Sequence, residues 1–381
     1  MKSAVITITH VNYGNRLQNY ATVKFLEKLS LNPENISIHD IRKKTILKRT
    51  KDTRRRLVKR IIPAPILCLL WEWKKKSCKD ALDLKKEKIF QSFTDSYIKS
   101  RSIKLYHRFD LKKLSLNADY DYFFAGSDQI WNPDFAGDDY YFLDFTESKN
   151  KISFAASIGY ESISKDVARD YAKYWNKMKY ISVREDSAAD IIEKSTGKRP
   201  DVFLDPTMLL TRTQWTEIMV KPNVELPKKY VVCLFLGRIP EYIKETCLNI
   251  FKMEVVILNE KTYPDYFLFG PSEFLYVIKN AELVMTDSFH CTVFSILFHK
   301  QFWVFKRKQD NLGNMFTRVE NLLQKMDLLD RIWKEEGADE KIVKNNYVDK
   351  IITEERFLKS DGIMKREQRR VEKILKDILK L

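Results

Sequence analysis

Short apolar runs alternate with amphipathic stretches along most of this chain. Residues 3–9 (SAVITIT) form a β-rich run that meets a turn at Asn12-Tyr13-Gly14, and a helical pattern follows from about Arg16 to Leu29. From Tyr120 the alternation returns: strands over 120–125, 151–156, 180–183 and 201–204, with helices over about 164–178 and 186–195. A second series begins at Tyr230, with strands over 230–236, 254–258, 282–286 and 302–305 and helices over about 240–252, 271–280 and 288–299. Strands alternating with helices predict parallel sheets covered on both faces, so the reading is two doubly wound, Rossmann-like α/β domains. We place the first over 1–206 and the second over 207–345, with 207–229 (Pro222, Pro227) as the linker and a helical tail over 346–381 whose stripe is Ile374, Leu375, Ile378 and Leu379.

One segment breaks the alternation. Residues 42–60 carry eleven Lys or Arg and a single Asp, and an apolar stretch with Trp71 and Trp73 follows over 61–73. It reads as a basic helical insertion, over about 42–105, in the first domain. Thirteen residues with two prolines are too few to cross a bilayer. Two readings stay open: a solvated arm packing its Leu and Trp residues on the domain, or an interfacial element in peripheral contact with an anionic membrane.

Charge adds to this picture, since 68 Lys and Arg against 52 Asp and Glu leave +16 over 381 residues. That balance favours anionic partners without choosing among phosphates, acidic glycans, nucleic acid and membranes. Five scattered cysteines with no C-x-x-C pair read as reduced thiols, and no leader or run of about 18 apolar residues occurs. A cytoplasmic protein, held in part at the inner face of the membrane, is the expectation. No His, Asp and Glu cluster has ligand-like spacing, so no metal is expected.

In open α/β sheets ligands bind beyond the carboxyl ends of the strands, so polar residues there are site candidates. The chain supplies Asn12, Tyr13 and Gly14; Gly126, Ser127, Asp128 and Gln129; Ser157 and Gly159; Arg184; Asp205; and Ser288 and His290. If Asp287 or Ser288 caps the following helix, His290 lies in its first turn, where free amides and the dipole attract anions and disfavour imidazolium. A proton donor coupled to anion binding follows, although a capping or packing histidine would occupy the same position.

GSDQIWNP, SIG after a strand, ISVRE before a helix, LDPTMLL and TDSFHCTVFSILFHKQFWVF, in that order, resemble the polysaccharide pyruvyl transferase family. The opening NYGNRLQNYATVKFLEKL and the later NMFTRVENLLQKMDLLDR resemble further motifs, so the likeness covers about residues 4–330 apart from the basic arm. It implies a GT-B-like glycosyltransferase architecture, with the two domains facing a cleft. The implied activity is transfer of pyruvate from phosphoenolpyruvate to a sugar of a capsular, exopolysaccharide or cell-wall glycan, as a ketal, with release of phosphate. The acceptor would be free or lipid-linked. Phosphoenolpyruvate is then a co-substrate and no cofactor is needed.

The motif histidine, implied as acid or base, falls on His290 after Ser288-Phe289, and the phosphoenolpyruvate-binding arginine on Arg184. Arg318, Lys306 or Arg307 would assist. Asp128 would orient or deprotonate an acceptor hydroxyl, or cap its own loop, while Trp131 and Tyr13 would offer faces to a sugar ring. One departure is Cys291, where the family usually has glycine. It would narrow acceptor choice, weaken activity or point into the helix packing. Two other readings stand beside this one: a glycosyltransferase of the same architecture using a nucleotide sugar, and a basic nucleic-acid-binding protein, which lacks any known binding module here. The expected partners therefore exclude nucleic acid.

Overall fold

Strands that are apolar on both faces must be covered on both faces, and the central strands here meet that condition. The protein is seen in a computed structural model that describes residues 1–40, 80–105, 116–134, 139–307, 316–334 and 351–381. Strands β4 (Tyr122–Ala125) and β5 (Lys151–Ala156) bury every residue. With β1 (Lys2–Ile6), β2 (Asn32–Asp40), β3 (Ser100–Leu105), β6 (Tyr180–Val183) and β7 (Asp201–Val202) they form a parallel seven-stranded sheet in the order β3-β2-β1-β4-β5-β6-β7. A second parallel sheet holds β8 (Tyr230–Leu234), β9 (Glu254–Leu258), β10 (Leu283–Thr286) and β11 (Gln301–Val304), ordered β11-β10-β8-β9. The strand order reverses between β1 and β4 in one sheet and between β8 and β10 in the other. Each reversal opens a crevice at the carboxyl ends of its strands, where ligands of such sheets bind.

The join between the sheets is a shared apolar core. Helix α1 (Tyr13–Lys28) follows β1, yet its Tyr13, Leu17 and Tyr20 share one core with Val232 and Leu234 of β8 and with Phe274 of α6 (Pro271–Asn280). Helix α2 (Ala81–Tyr97) adds Phe90 and Phe93 to that core, while α3 (Lys165–Trp175) and α4 (Asp186–Thr196) pack with β4 in a separate one. The stretch 207–229 is therefore no loose linker: its short helix α5 (Arg212–Glu217) has a full capping box. Trp215 is wholly buried and donates from Nε1 to the Thr207 carbonyl at 3.0 Å. The insertion read over about 42–105 also needs correction, because β3 lies within it and pairs with β2 as the sheet edge. The basic run and Trp71 and Trp73 lie outside the described residues. Among the described residues no helix is long and apolar enough to cross a membrane.

Helix α9 (Glu354–Leu379) spans both sheets. Phe357 and Met364 enter the shared core, while Val371, Leu375 and Leu379 pack with Phe25, Phe154 and Phe203 on the first sheet. The Leu379 carbonyl accepts from the Tyr122 hydroxyl at 3.2 Å, and Arg370 donates to the Val202 carbonyl at 2.5 Å. Leu375 is fully buried. Leu375→Ala should cost about 2–5 kcal/mol through lost burial and a residual cavity, read as a lower urea midpoint with an unchanged m-value. A loss below about 1 kcal/mol would mean that α9 does not clamp the first sheet.

Candidate functional site

Both crevices meet at the start of two helices. Asn12 caps α1 by accepting from the Asn15 amide at 3.2 Å, which brings Gly14 into the first turn. In the other sheet Ser288 caps α7 (Phe289–Leu297), so His290 stands in the first turn as the chain pattern requires. The two turns press together: a Cβ on Gly14 would lie 2.0 Å from His290 Nδ1, so only glycine admits the imidazole there. On its other side His290 Nε2 lies 3.4 Å from Oδ2 of Asp205, close for an ion pair and long for a hydrogen bond.

Asp205 is buried, and its carboxylate gathers several groups. Oδ1 accepts from the Thr207 amide at 2.9 Å and hydroxyl at 2.5 Å, and Oδ2 sits 2.8 Å from Arg184 Nη2. Burial would raise its carboxyl pKa, but the positive charge of Arg184, then His290, and the bonds from Thr207 reverse that. They hold it well below the usual carboxylate range. Arg184, at the end of β6, also donates from Nη2 to the Ser127 hydroxyl at 2.7 Å, and its Nη1 is 3.8 Å from Asp128 Oδ1. Its Nε and Nη1 make no hydrogen bond. The guanidinium lies 5.1 Å from the Phe289 ring, and that of Arg318, on α8 (Thr317–Lys325), lies 5.5 Å from the same ring. Burial first, then the neighbouring Arg184, pushes the Arg318 pKa down to about 10.

The loop after β4 completes this side. Gly126 has φ +110°, and a Cβ there would meet the Phe154 carbonyl at 2.6 Å. Asp128 accepts from the Gln129 amide at 2.8 Å within its own loop and from the Asn15 side chain of α1. Burial opposes its ionisation, but Arg184, His290 and Arg318 outweigh that and lower its pKa. With its amide oxygen turned to Arg318, Gln129 accepts from Nη1 at 2.8 Å and Nε at 2.9 Å.

Several expected ligand residues serve the protein itself. Ser157 and Gly159 do not wait for a substrate: the Ser157 hydroxyl and the Ile158 and Gly159 amides all donate to Oε1 of Glu185, at 3.0, 2.9 and 3.0 Å. Tyr13 and Trp131 offer no face to a sugar. Trp131 is wholly buried and stacked on Phe142. Tyr13 stacks on Phe274 and donates to the Phe269 carbonyl at 3.0 Å, and burial, then Glu273, raises its phenol pKa. Cys291 is buried, and burial pushes its thiol up to about 12, which disfavours the reactive thiolate. Lys306 is 3.2 Å from Glu320, and Arg307 Nε is 2.9 Å from Asp287, so each has its own carboxylate partner. Among the described residues no group of His, Cys, Asp or Glu could hold a metal ion.

The sequence reading missed Asn15, Glu185 and Lys86. Glu185 carried a signal, an acid directly after the strand-end arginine; Asn15 and Lys86 lie inside helices and carried none. Lys86 of α2 is buried, and its Nζ reaches Asn259 Oδ1 at 3.3 Å. With Asn12, Gly14, Ser288 and His290 these two line a cavity of about 90 Å³. A larger cavity of about 850 Å³ opens beside Asp287 and Arg307, with Phe235, Tyr242, Phe305 and Trp333 on its wall.

The sequence model of the family described as polysaccharide pyruvyl transferase matches residues 12–309. No curated protein sequence matches. Among solved structures, the chain is similar to Anabaena HepE in complex with UDP and glucose, with TM-score 0.51 and 9% identity over 100% of this chain and 99% of that one. It is also similar to the UDP-GlcNAc 2-epimerase of Methanocaldococcus jannaschii, with TM-score 0.49 and 11% identity over 98% and 99%. A third likeness is to the wall teichoic acid polymerase TagF, with TM-score 0.46 and 14% identity over 100% and 89%. The likeness to HepE is one of fold, the two-sheet GT-B-like architecture already described.

The Asp205 network carries a pH signature. Because its carboxyl pKa is lowered by folding, the unfolded chain binds the extra proton below about pH 4, and stability must fall as pH falls through that range. Asp205→Asn leaves Arg184 with a buried, weakened partner and should cost about 3–5 kcal/mol at pH 7, while flattening the decline below pH 4. Denaturant titrations at pH 7, 4 and 3 check both. An unchanged acid slope would show that Asp205 is not the group that titrates.

Proposed function

Because this chain belongs to the polysaccharide pyruvyl transferase family, we propose that it moves a pyruvyl group from phosphoenolpyruvate onto a sugar of a capsular, exopolysaccharide or cell-wall glycan. The observation that carries this reading is the setting of His290, which comes from the second sheet and is fixed between Gly14 and the buried Asp205, both of the first. Its Nε2 is turned to the carboxylate, so Nδ1 is the nitrogen left to exchange a proton with substrate.

Ketal formation begins with a proton delivered to the donor's methylene carbon, which leaves positive charge at C2. One sugar hydroxyl attacks that centre and loses its proton, the C2–O bond to phosphate breaks, and a second hydroxyl of the same sugar closes the ketal. Phosphoenolpyruvate and a diol thus give ketal and inorganic phosphate, with no oxidant or cofactor required. His290 is the acid of the first step and, once deprotonated, a base for a hydroxyl. Asp205 positions the ring, and Arg184, with two nitrogens free of hydrogen bonds, offers fixed positive charge near it. The larger cavity has the dimensions of a saccharide site and lies beyond Asp287, three residues from His290. Contact with an anionic membrane, where a lipid-linked acceptor would be presented, is part of the same proposal and rests on the basic run at 42–60.

Incubation with phosphoenolpyruvate and candidate oligosaccharides should add the mass of one pyruvate less water, with matching release of phosphate. His290→Gln should lower that rate by about 10²–10⁴-fold, the usual contribution of a general acid or base, with thermal stability retained. Transfer that persists within a few-fold would remove His290 from the chemistry.

A further inference from the structure

Two cationic environments flank His290, and they differ in what surrounds them. Arg184 and Arg318 stand among the protein's own acids: Asp205 and Asp128 lie 2.8 and 3.8 Å from Arg184, and Glu185 and Asp128 act on Arg318. Much of their charge is answered internally. Lys86, on the Nδ1 side, has no carboxylate within ion-pair distance among the described residues. Its ammonium has one long hydrogen bond, to Asn259 at 3.3 Å, and otherwise faces the rings of Phe267 at 4.0 Å and Tyr13 at 5.3 Å. A buried cation so thinly partnered is costly to the fold, and burial lowers its pKa to about 8 against the weak pull of Asp83.

The cavity it lines explains the charge. At about 90 Å³ it holds a few waters or one small oxyanion. Its walls include the first turns of both α1 and α7, where Asn12 and Ser288 cap the Asn15 and Cys291 amides and the amides before these have no acceptor within their own helices. It lies where the switch points of the two sheets meet, with His290 Nδ1 on the same side. We propose that this cavity is an oxyanion site in which Lys86, with the N-termini of α1 and α7, holds a phosphate or carboxylate group against His290. Assigning that group to phosphoenolpyruvate rests on the pyruvyl-transfer reading; the anion site itself does not. Lys86 is then a binding residue that fixes the donor so that its reacting carbon reaches Nδ1.

Calorimetric titration of the full chain with inorganic phosphate tests the site directly. Wild type should bind saturably, Lys86→Met should lose at least tenfold in affinity, and the exposed control Lys88→Met should not change. Lys86→Met should also raise the melting temperature, since an apolar chain of similar length replaces an unpaired buried charge. A residue with only a structural role would lose stability instead. If Lys86→Met fails to fold, Lys86→Gln, which keeps a polar group on Asn259, carries the same comparison. No phosphate binding by wild type, or equal affinity in the folded variant, overturns the proposal. Lys86-dependent phosphate binding without pyruvyl transfer to any glycan would leave the anion site standing and remove the pyruvyl reading. Transfer whose KM for phosphoenolpyruvate ignores Lys86→Met would do the reverse.

Discussion

The buried carboxylate of Asp205 joins the two halves of this protein electrically inside the core. It follows β7 in the first sheet, pairs at 2.8 Å with Arg184 from the end of β6, and faces His290 of α7 in the second sheet at 3.4 Å. None of the three side chains is appreciably exposed, so the charges of Asp205 and Arg184 are weakly screened and breaking their contact leaves one of them uncompensated. The remaining polar groups are arranged around that fact. Thr207 fixes one carboxylate oxygen, Ser127 fixes the guanidinium, and Phe289 lies beneath both Arg184 and Arg318.

Holding the junction this tightly needs a rigid scaffold. The core that runs from α1 through Trp215 and Phe274 to β8 supplies it, and α9 closes it from outside by touching both sheets. Gly14 shows how closely the halves approach, since any side chain there would overlap the imidazole. The two sides of that ring differ: Nε2 faces the buried carboxylate of Asp205, while a small cavity that His290 also lines holds the ammonium of Lys86, whose hydrogen bond goes to Asn259.

Regular alternation made most strands legible, because β1, β4, β5, β8 and β10 are short apolar runs bounded by polar clusters. β2 was not legible: Asn32-Pro33-Glu34-Asn35 reads as a turn, and only Ile36 and Ile38 alternate after it. β3 was absorbed into the insertion because a basic, weakly apolar edge strand resembles its surroundings. At the site, the strand-end residues Arg184, Asp205, Asp128 and His290 are neighbours in the structure. The strand-end rule misassigned Tyr13 and Trp131, because aromatic residues beside a strand end serve the core as readily as a ligand. It also took the Ser157–Gly159 turn for a ligand cradle, when the anion it holds is Glu185 from the next strand end. Lys86 was unreadable in sequence, since one lysine among several on an amphipathic helix is distinguished only by the direction in which it is buried.

The central claim is that Asp205 fixes the imidazole so that Nδ1 is the working nitrogen. Nitrogen-15 chemical shifts of the His290 ring, taken at a pH where the ring is neutral, test it most directly. The account requires the proton on Nε2, facing Asp205, and an unprotonated Nδ1, with the preference lost in Asp205→Asn. A ring protonated on Nδ1 in the wild type, or a tautomer indifferent to Asp205→Asn, would contradict it.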